Sequence, residues 1–160
     1  HMFDNGDTAG FAREFLEVQL SIREHKVIVF SAHFIAKSSG RDRLWRDPYR
    51  RAEGAEAREI VLEVTQRNPE ALVVLGGDLN DRPGSTALMV LEGMDGLIRV
   101  AAELNGEERT HSFGALDHLY LSSSSAGAHI PGTTEVVRSG ARGYVGSDHA
   151  VLKADFTLGR

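Results

Sequence analysis

The chain contains no cysteine. That excludes a disulfide scaffold, a thiolate metal site and any cysteine nucleophile. It has no apolar run near the roughly 18 residues that a membrane-spanning helix needs. Lysine is scarce: of 18 basic residues only Lys26, Lys37 and Lys153 are lysines, and the remaining 15 are arginines. Positive charge is outweighed, with a formal net charge of −5, so this is no globally basic protein that coats nucleic acid. Internal repeats, low-complexity tracts and long linkers are absent too. At 160 residues and 41% hydrophobic composition, the chain is long enough to bury a core of its own, and residues 3–160 read as a single domain. His1 and Met2 read as a cloning remnant.

The arginines are unevenly placed. Arg41, Arg43, Arg46, Arg50 and Arg51 crowd into eleven positions opposed only by Asp42 and Asp47. A solvated charge run is the ordinary fate of such a cluster. The functional alternative is a loop that recruits phosphate, because guanidinium forks match phosphate oxygens. Arg41, Arg43 and Arg46 are the candidates for that role.

Periodicity supplies the elements. Residues 15–22 alternate, with Leu16, Val18, Leu20 and Ile22 on one side, as in a half-buried strand. VIVF at 27–30 and ALVVL at 71–75 are continuous apolar runs of the kind found in central strands. Residues 34–47 read as a polar loop, and Asp47-Pro48 as a helix start with Asp at the N-cap. Ala57, Ile60, Val61 and Val64 then place one apolar stripe on that helix, which Asn68-Pro69 ends. Ser85 caps a second, short helix reaching about Gly93. Residues 116–121, 134–138 and 149–156 read as further strands. Strands outnumber helices, which predicts an α/β fold with a mixed, mostly antiparallel sheet and covering helices.

Chemistry concentrates in four places. In GGDLNDRPGS (76–85) an apolar strand runs out into Asp78 and Asn80, two residues apart. Continued strand geometry would put the carboxylate and the amide on one face, a pairing suited to a hard divalent cation and a phosphate oxygen. An Asx-rich turn is the structural alternative. A calcium loop fits poorly, since Arg82 and Pro83 occupy positions that need a ligand and a glycine and Met89 stands where glutamate belongs. Asp148-His149 opens the last strand, Asp117 opens the strand at 116–121, and His33 closes VIVFSAH. If the late strands run antiparallel to the early ones, all four strand ends meet on one rim. Two carboxylates, an amide and two histidines would then converge without a serine or cysteine nucleophile, a constellation that fits metal-assisted attack of water on phosphorus. A histidine-based zinc enzyme from His33, His111, His118 and His149 is a weaker reading, as no HExxH-type spacing is present. His118 reads as alternating outward from the strand that carries Asp117.

SAHF, GGDLND-x-P-G-S, LDHLYLS and GSDHAVL, in this order, resemble the endonuclease/exonuclease/phosphatase superfamily, the deoxyribonuclease-like fold, over about residues 11–158. The stretch RDPYRRAEGAEAREIVLEV followed by GGDLNDRPGS looks like bacterial members of it. The resemblance implies half of a four-layer α/β sandwich and Mg²⁺- or Mn²⁺-dependent phosphoester hydrolysis, with nuclease favoured over phosphatase and nucleic acid among the substrates. It implies that Asp78 polarises water or contacts the cation, and that Asn80 positions water or phosphate. His149 would bond the phosphate or act as base, held by Asp117, while Asp148 lies at the metal and His33 donates to a non-bridging phosphate oxygen. The family's principal metal ligand, a glutamate in a Gln-Glu context, has no match here: Glu14, Glu17 and Glu24 are not in that setting. The resemblance therefore implies the C-terminal half of such a protein, with weak metal affinity of its own. A non-catalytic half-domain used for binding or assembly is the alternative from another class. The Val and Ile residues of 27–30 and 71–75 are expected to form an apolar face needing cover, hence a homo-oligomer, a swapped assembly or a missing partner half.

Overall fold

The structure is a computed structural model that describes residues 10–37, 43–106, 108–140 and 143–158. The elements follow as β1 (Phe15–Ile22), β2 (His25–His33), α1 (Arg43–Arg67), β3 (Leu72–Asp78), α2 (Thr86–Glu92), β4 (Ile98–Arg99), β5 (Asp117–Leu121), β6 (Glu135–Val137) and β7 (Val151–Lys153). Five strands form one sheet in the order β1-β2-β3-β5-β4, and β6 and β7 form a separate antiparallel pair. Within the large sheet only β2 and β3 are parallel, joined through α1; the other neighbours are antiparallel. The expected α/β class with a mixed, mostly antiparallel sheet is what the chain adopts.

One face of that sheet is the main core. Strand alternation turns Ile28, Phe30 and Ala32 of β2, Val73 and Leu75 of β3 and Tyr120 of β5 toward the helices, where they meet Ala57 and Val61 of α1 and Leu88 and Leu91 of α2. Ile60 and Val64 complete the anticipated stripe of α1 at its partly buried margin. Ser85 caps α2 through its side chain, accepting from Leu88 N, and Gly93 ends the helix, as its sequence indicates. Gly77 has no substitute: at φ +139° an added Cβ would sit 2.0 Å from Ala32 O, so the parallel pairing of β2 and β3 requires a residue without one.

Several expectations are corrected. Helix α1 begins at Arg43, not at Asp47, and contains Pro48. The ring sits close enough to the helix start that a lost bond falls near an already under-bonded end. Asp47 pairs with Arg50 one turn on rather than capping. The last strand does not enter the large sheet but pairs with β6. Strand β1 is the sheet edge, and only Phe15 reaches the core, stacking on Phe30 at 5.4 Å. Its apolar side is open, with Leu16, Val18, Leu20 and Ile22 between 42% and 53% exposed. By contrast Val27, Ile28, Val73 and Val74 are buried: Ile28 and Val73 face the helices, and Val74 packs with Val100 and Leu121, with Ala154 and Phe156 against them. The open apolar face thus belongs to β1, not to the central strands. No helix among the described residues is long and apolar enough to cross a membrane.

Candidate active site

The rim at the C-terminal ends of β2 and β3 gathers the chemistry. Parallel register puts His33 beside Asp78, and antiparallel register puts Asp78 opposite Asp117. Two backbone bonds lock the three strand ends together: Phe34 N donates to Asp78 O at 3.0 Å, and Leu79 N to Leu116 O at 2.9 Å. His149 comes from the loop before β7, held by Tyr144 N donating to His149 O at 2.9 Å.

Around Asp78 the side chains close in. His33 Nε2 lies 3.6 Å and His149 Nε2 4.0 Å from Asp78 Oδ2. His149 Nδ1 donates to Asp117 Oδ2 at 2.8 Å, which leaves Nε2 as the nitrogen facing Asp78. Asn80 arrives by a different route from the one its spacing suggests. β3 ends at Asp78, and the chain folds back with Asn80 at φ 52°. Asn80 N then donates to Asp78 Oδ1 at 2.9 Å and Nδ2 to Phe34 O at 3.0 Å. An Asx turn, not strand periodicity, unites carboxylate and amide. The turn reading of D-x-N is thus the one its local geometry takes.

Charge is distributed unevenly over this group. Burial raises the Asp78 pKa, and the nearby Asp117 charge adds to the rise against the bonds from Asn80 and the two histidines. His149 moves upward from 6.5: burial opposes its charge, but the hydrogen bond and charge of Asp117, then Asp78 and Asp148, outweigh that. Asp148 is held below the usual carboxylate range, chiefly by its bond from His111. The folded-state pKa of His149 lies above its unfolded value. Its pairing therefore adds stability that is complete below pH 6.5 and lost as pH rises through the higher folded value. An NMR titration is expected to place the His149 midpoint above 6.5, and Asp117→Asn to lower it. A midpoint that the substitution leaves unchanged would remove Asp117 as the cause.

The ligand atoms of Asp78, Asp117 and His149 all lie within 4.8 Å of one another. Two carboxylates this close repel, as the raised Asp78 pKa registers, and a divalent cation would relieve that repulsion with oxygen donors of the kind hard cations take. The donor set fits such an ion. Glu14 and Glu17 are exposed and Glu24 pairs with His25, and none of the three belongs to this cluster.

The arginine cluster disperses. Arg41 lies outside the described residues, as does the side chain of Arg43. Arg46 donates to Ala36 O at 3.2 Å and its guanidinium lies 5.0 Å from the Trp45 ring. Arg50 is 1% exposed and pairs with Asp81 at 3.2 Å and with Asp47, so it is a structural ion rather than a phosphate recruiter. His118 faces the core instead of solvent: it is buried, and Nε2 donates to Asp81 O at 2.9 Å. It therefore cannot join a zinc cluster with His149.

Two residues at the rim carry no sequence motif. Thr110 is wholly buried; its Oγ1 accepts from Leu116 N and Asp117 N, each at 3.1 Å, and its carbonyl accepts from Ala150 N at 2.7 Å. One threonine thus ties the Asp117 strand to the His149 loop. His111 contacts Asp148 at 3.2 Å. The polar segment around 110 offers no periodicity, and only its distance upstream of Asp117 could have drawn notice to it.

No protein-family model and no curated protein matches the chain. Among solved structures it is similar to a truncated TDP2 from Caenorhabditis elegans at 24% identity, covering 88% of this chain and 58% of that one, with a TM-score of 0.61. The human Nocturnin catalytic domain with bound sulfate matches at 18% identity, 88% and 51% coverage and a TM-score of 0.66. A beta-toxin mutant from Staphylococcus aureus with bound magnesium ions matches at 20% identity, 87% and 56% coverage and a TM-score of 0.55. The chain shares the fold of these structures. The chain spans about half the length of these matched structures.

Proposed function

We propose that this chain carries the water-activating half of a divalent-metal-dependent phosphoester hydrolase. The observation that carries this reading is the convergence of Asp78, Asn80, Asp117, His149 and His33 on one rim, with His149 bonded to Asp117 and facing Asp78. Asp78 and Asp117 would hold a Mg²⁺ or Mn²⁺ ion, with Asp148 beside them. Such an ion supplies positive charge that acidifies water and neutralises phosphate oxygens. The neighbours bound to sulfate and to magnesium ions support a site that accepts a tetrahedral oxyanion and a hard cation.

The protein groups divide the remaining work by their charge. His149, its pKa raised by Asp117, donates from Nε2 to a phosphate oxygen as negative charge builds on it. His33 Nε2 faces the same region and donates to a second oxygen. Asp78, made more basic by burial, accepts the proton of the attacking water, which Asn80 helps to place. The water oxygen bonds to phosphorus, the ester oxygen departs, and that oxygen takes a proton from solvent. Phosphodiesters, nucleic acid among them, are the substrates this reading favours over phosphomonoesters. The acidic net charge then makes local contacts, Arg46 among them, responsible for recruiting a polyanion.

Hydrolysis of bis(p-nitrophenyl) phosphate and of a short oligonucleotide, with Mg²⁺ or Mn²⁺ and again with chelator, tests the reading. Metal-dependent turnover that chelator removes supports it. No turnover with either substrate at millimolar metal favours the second reading, a half-domain used for assembly.

The apolar side of β1 bears on that second reading. Four aliphatic residues on one side of an edge strand whose outer edge has no partner among the described residues suit a second copy of the chain. Light scattering is expected to show self-association at micromolar concentration, and Val18→Lys to reduce it. A strict monomer throughout would overturn the proposed oligomer.

A further inference from the structure

His111 has no place in the roles given above, yet both of its ring nitrogens are engaged. The chain turns tightly from Thr110 to Gly114, with His111 N donating to Gly114 O at 2.9 Å and Gly114 N returning to His111 O at 3.0 Å. Inside that turn Phe113 N donates to His111 Nδ1 at 3.1 Å. A ring nitrogen that accepts a hydrogen bond carries no proton, so the neutral imidazole bears its hydrogen on Nε2. Nε2 lies 3.2 Å from Asp148 Oδ2, which makes the imidazole the donor and the carboxylate the acceptor. The ring is 9% exposed and packs against His149 with centroids 4.7 Å apart.

The ligand atoms of His111, Asp148 and His149 also lie within 4.8 Å of one another, a spacing that invites a second metal ion. The hydrogen bonding argues against His111 as a ligand. Ligation would need the Nε2 lone pair, and freeing it would move the proton to Nδ1, directly against the Phe113 N–H. Two donors would then face each other in a closed turn.

We infer that His111 is a positioning residue, a tautomer-locked donor that holds the Asp148 carboxylate at the rim beside His149. Asp148 is 73% exposed and, among the described residues, has no other side-chain hydrogen bond that would keep it from turning to solvent. His111 supplies that restraint and lends one wall to the His149 ring. The inference rests on the phosphoesterase reading only for its effect on metal binding; the restraint itself is independent of it.

Two arms test it. Long-range ¹H–¹⁵N spectra of the full chain are expected to show the Nε2–H tautomer at His111, with Asp148 in one χ1 rotamer. In His111→Phe, which keeps a ring against His149 and removes the donor, Asp148 is expected to average among rotamers. Mn²⁺ affinity, followed by electron paramagnetic resonance, is expected to fall about 10- to 100-fold in that variant, the usual effect of losing a partner of a metal-binding carboxylate. His111→Gln can return an N–H near the Nε2 position, and is expected to recover most of both signals at a similar Tm. An Nδ1–H tautomer, an Asp148 rotamer unaffected by His111→Phe, or a Gln variant as impaired as the Phe variant would overturn the inference. Wild-type protein that binds no Mn²⁺ would count against the phosphoesterase reading, while the tautomer and rotamer would still decide whether His111 holds Asp148.

Discussion

Substituting His149 by alanine is expected to lower kcat for phosphodiester hydrolysis by about 10³-fold, equivalent to about 4 kcal/mol of barrier. The argument rests on where the ring stands. Nδ1 is committed to Asp117 at 2.8 Å, so Nε2 alone can meet the substrate, and Asp117 favours the charged form that donates most strongly. Removing the ring takes away that donor and leaves Asp117 beside Asp78 without the cation that separates them. Because the ring is partly exposed, thermal stability should change little, and the loss should fall on kcat more than on KM. Asp117→Asn is expected to give an intermediate loss, since the amide keeps the contact but not the charge. Activity in His149→Ala within tenfold of wild type would exclude the imidazole from the reaction.

Replacing Arg50 by alanine is expected to destabilise the fold by about 3 kcal/mol, because it breaks a buried ion pair and leaves Lys37 as the one cation on buried Asp81 among the described residues. For a domain of this size that corresponds to a fall in Tm of about 6 to 12 °C. Arg50 is 1% exposed and links α1 to the loop that follows β3 through Asp81. Asp81 is itself a hub: Lys37 pairs with it, Arg82 N donates to Oδ1 at 2.9 Å, and its carbonyl accepts from buried His118. The loss should therefore reach Asn80, the adjacent residue, and weaken the Asx turn at the rim. Denaturant melts of Arg50→Ala and of Asp81→Asn, with their double variant, would measure the coupling. If Arg50→Ala melted with the wild type, the buried ion pair would have no structural weight.

These two residues also show what a sequence can and cannot disclose. His149 is legible because it sits at the mouth of an apolar run beside an aspartate, although a loop before β7 rather than a strand of the large sheet brings it to Asp78. Arg50 is not, since a crowd of arginines looks like a solvated surface until the fold supplies Asp81 as a partner from the far side of the crossover. The face of β1 was misjudged for a related reason: alternation establishes that Leu16, Val18, Leu20 and Ile22 share a side, but not whether anything lies against it. Asn80 reached its position by a left-handed backbone turn that a period-two pattern cannot represent. Thr110 and His111 act through a short polar turn with no periodicity to read, and their meaning appears only when Asp117 and Asp148 stand next to them.

The rim draws its groups from His33 near the start, Asp78 and Asp117 in the middle and His149 near the end of the chain. Each pair is bridged by a long loop whose closure is entropically costly. A folding intermediate that has formed only β1, β2 and the crossover helix holds His33 alone of these groups. Catalytic competence should therefore appear late in refolding, after most helical signal has returned, which would make turnover a more demanding reporter of completed folding than circular dichroism.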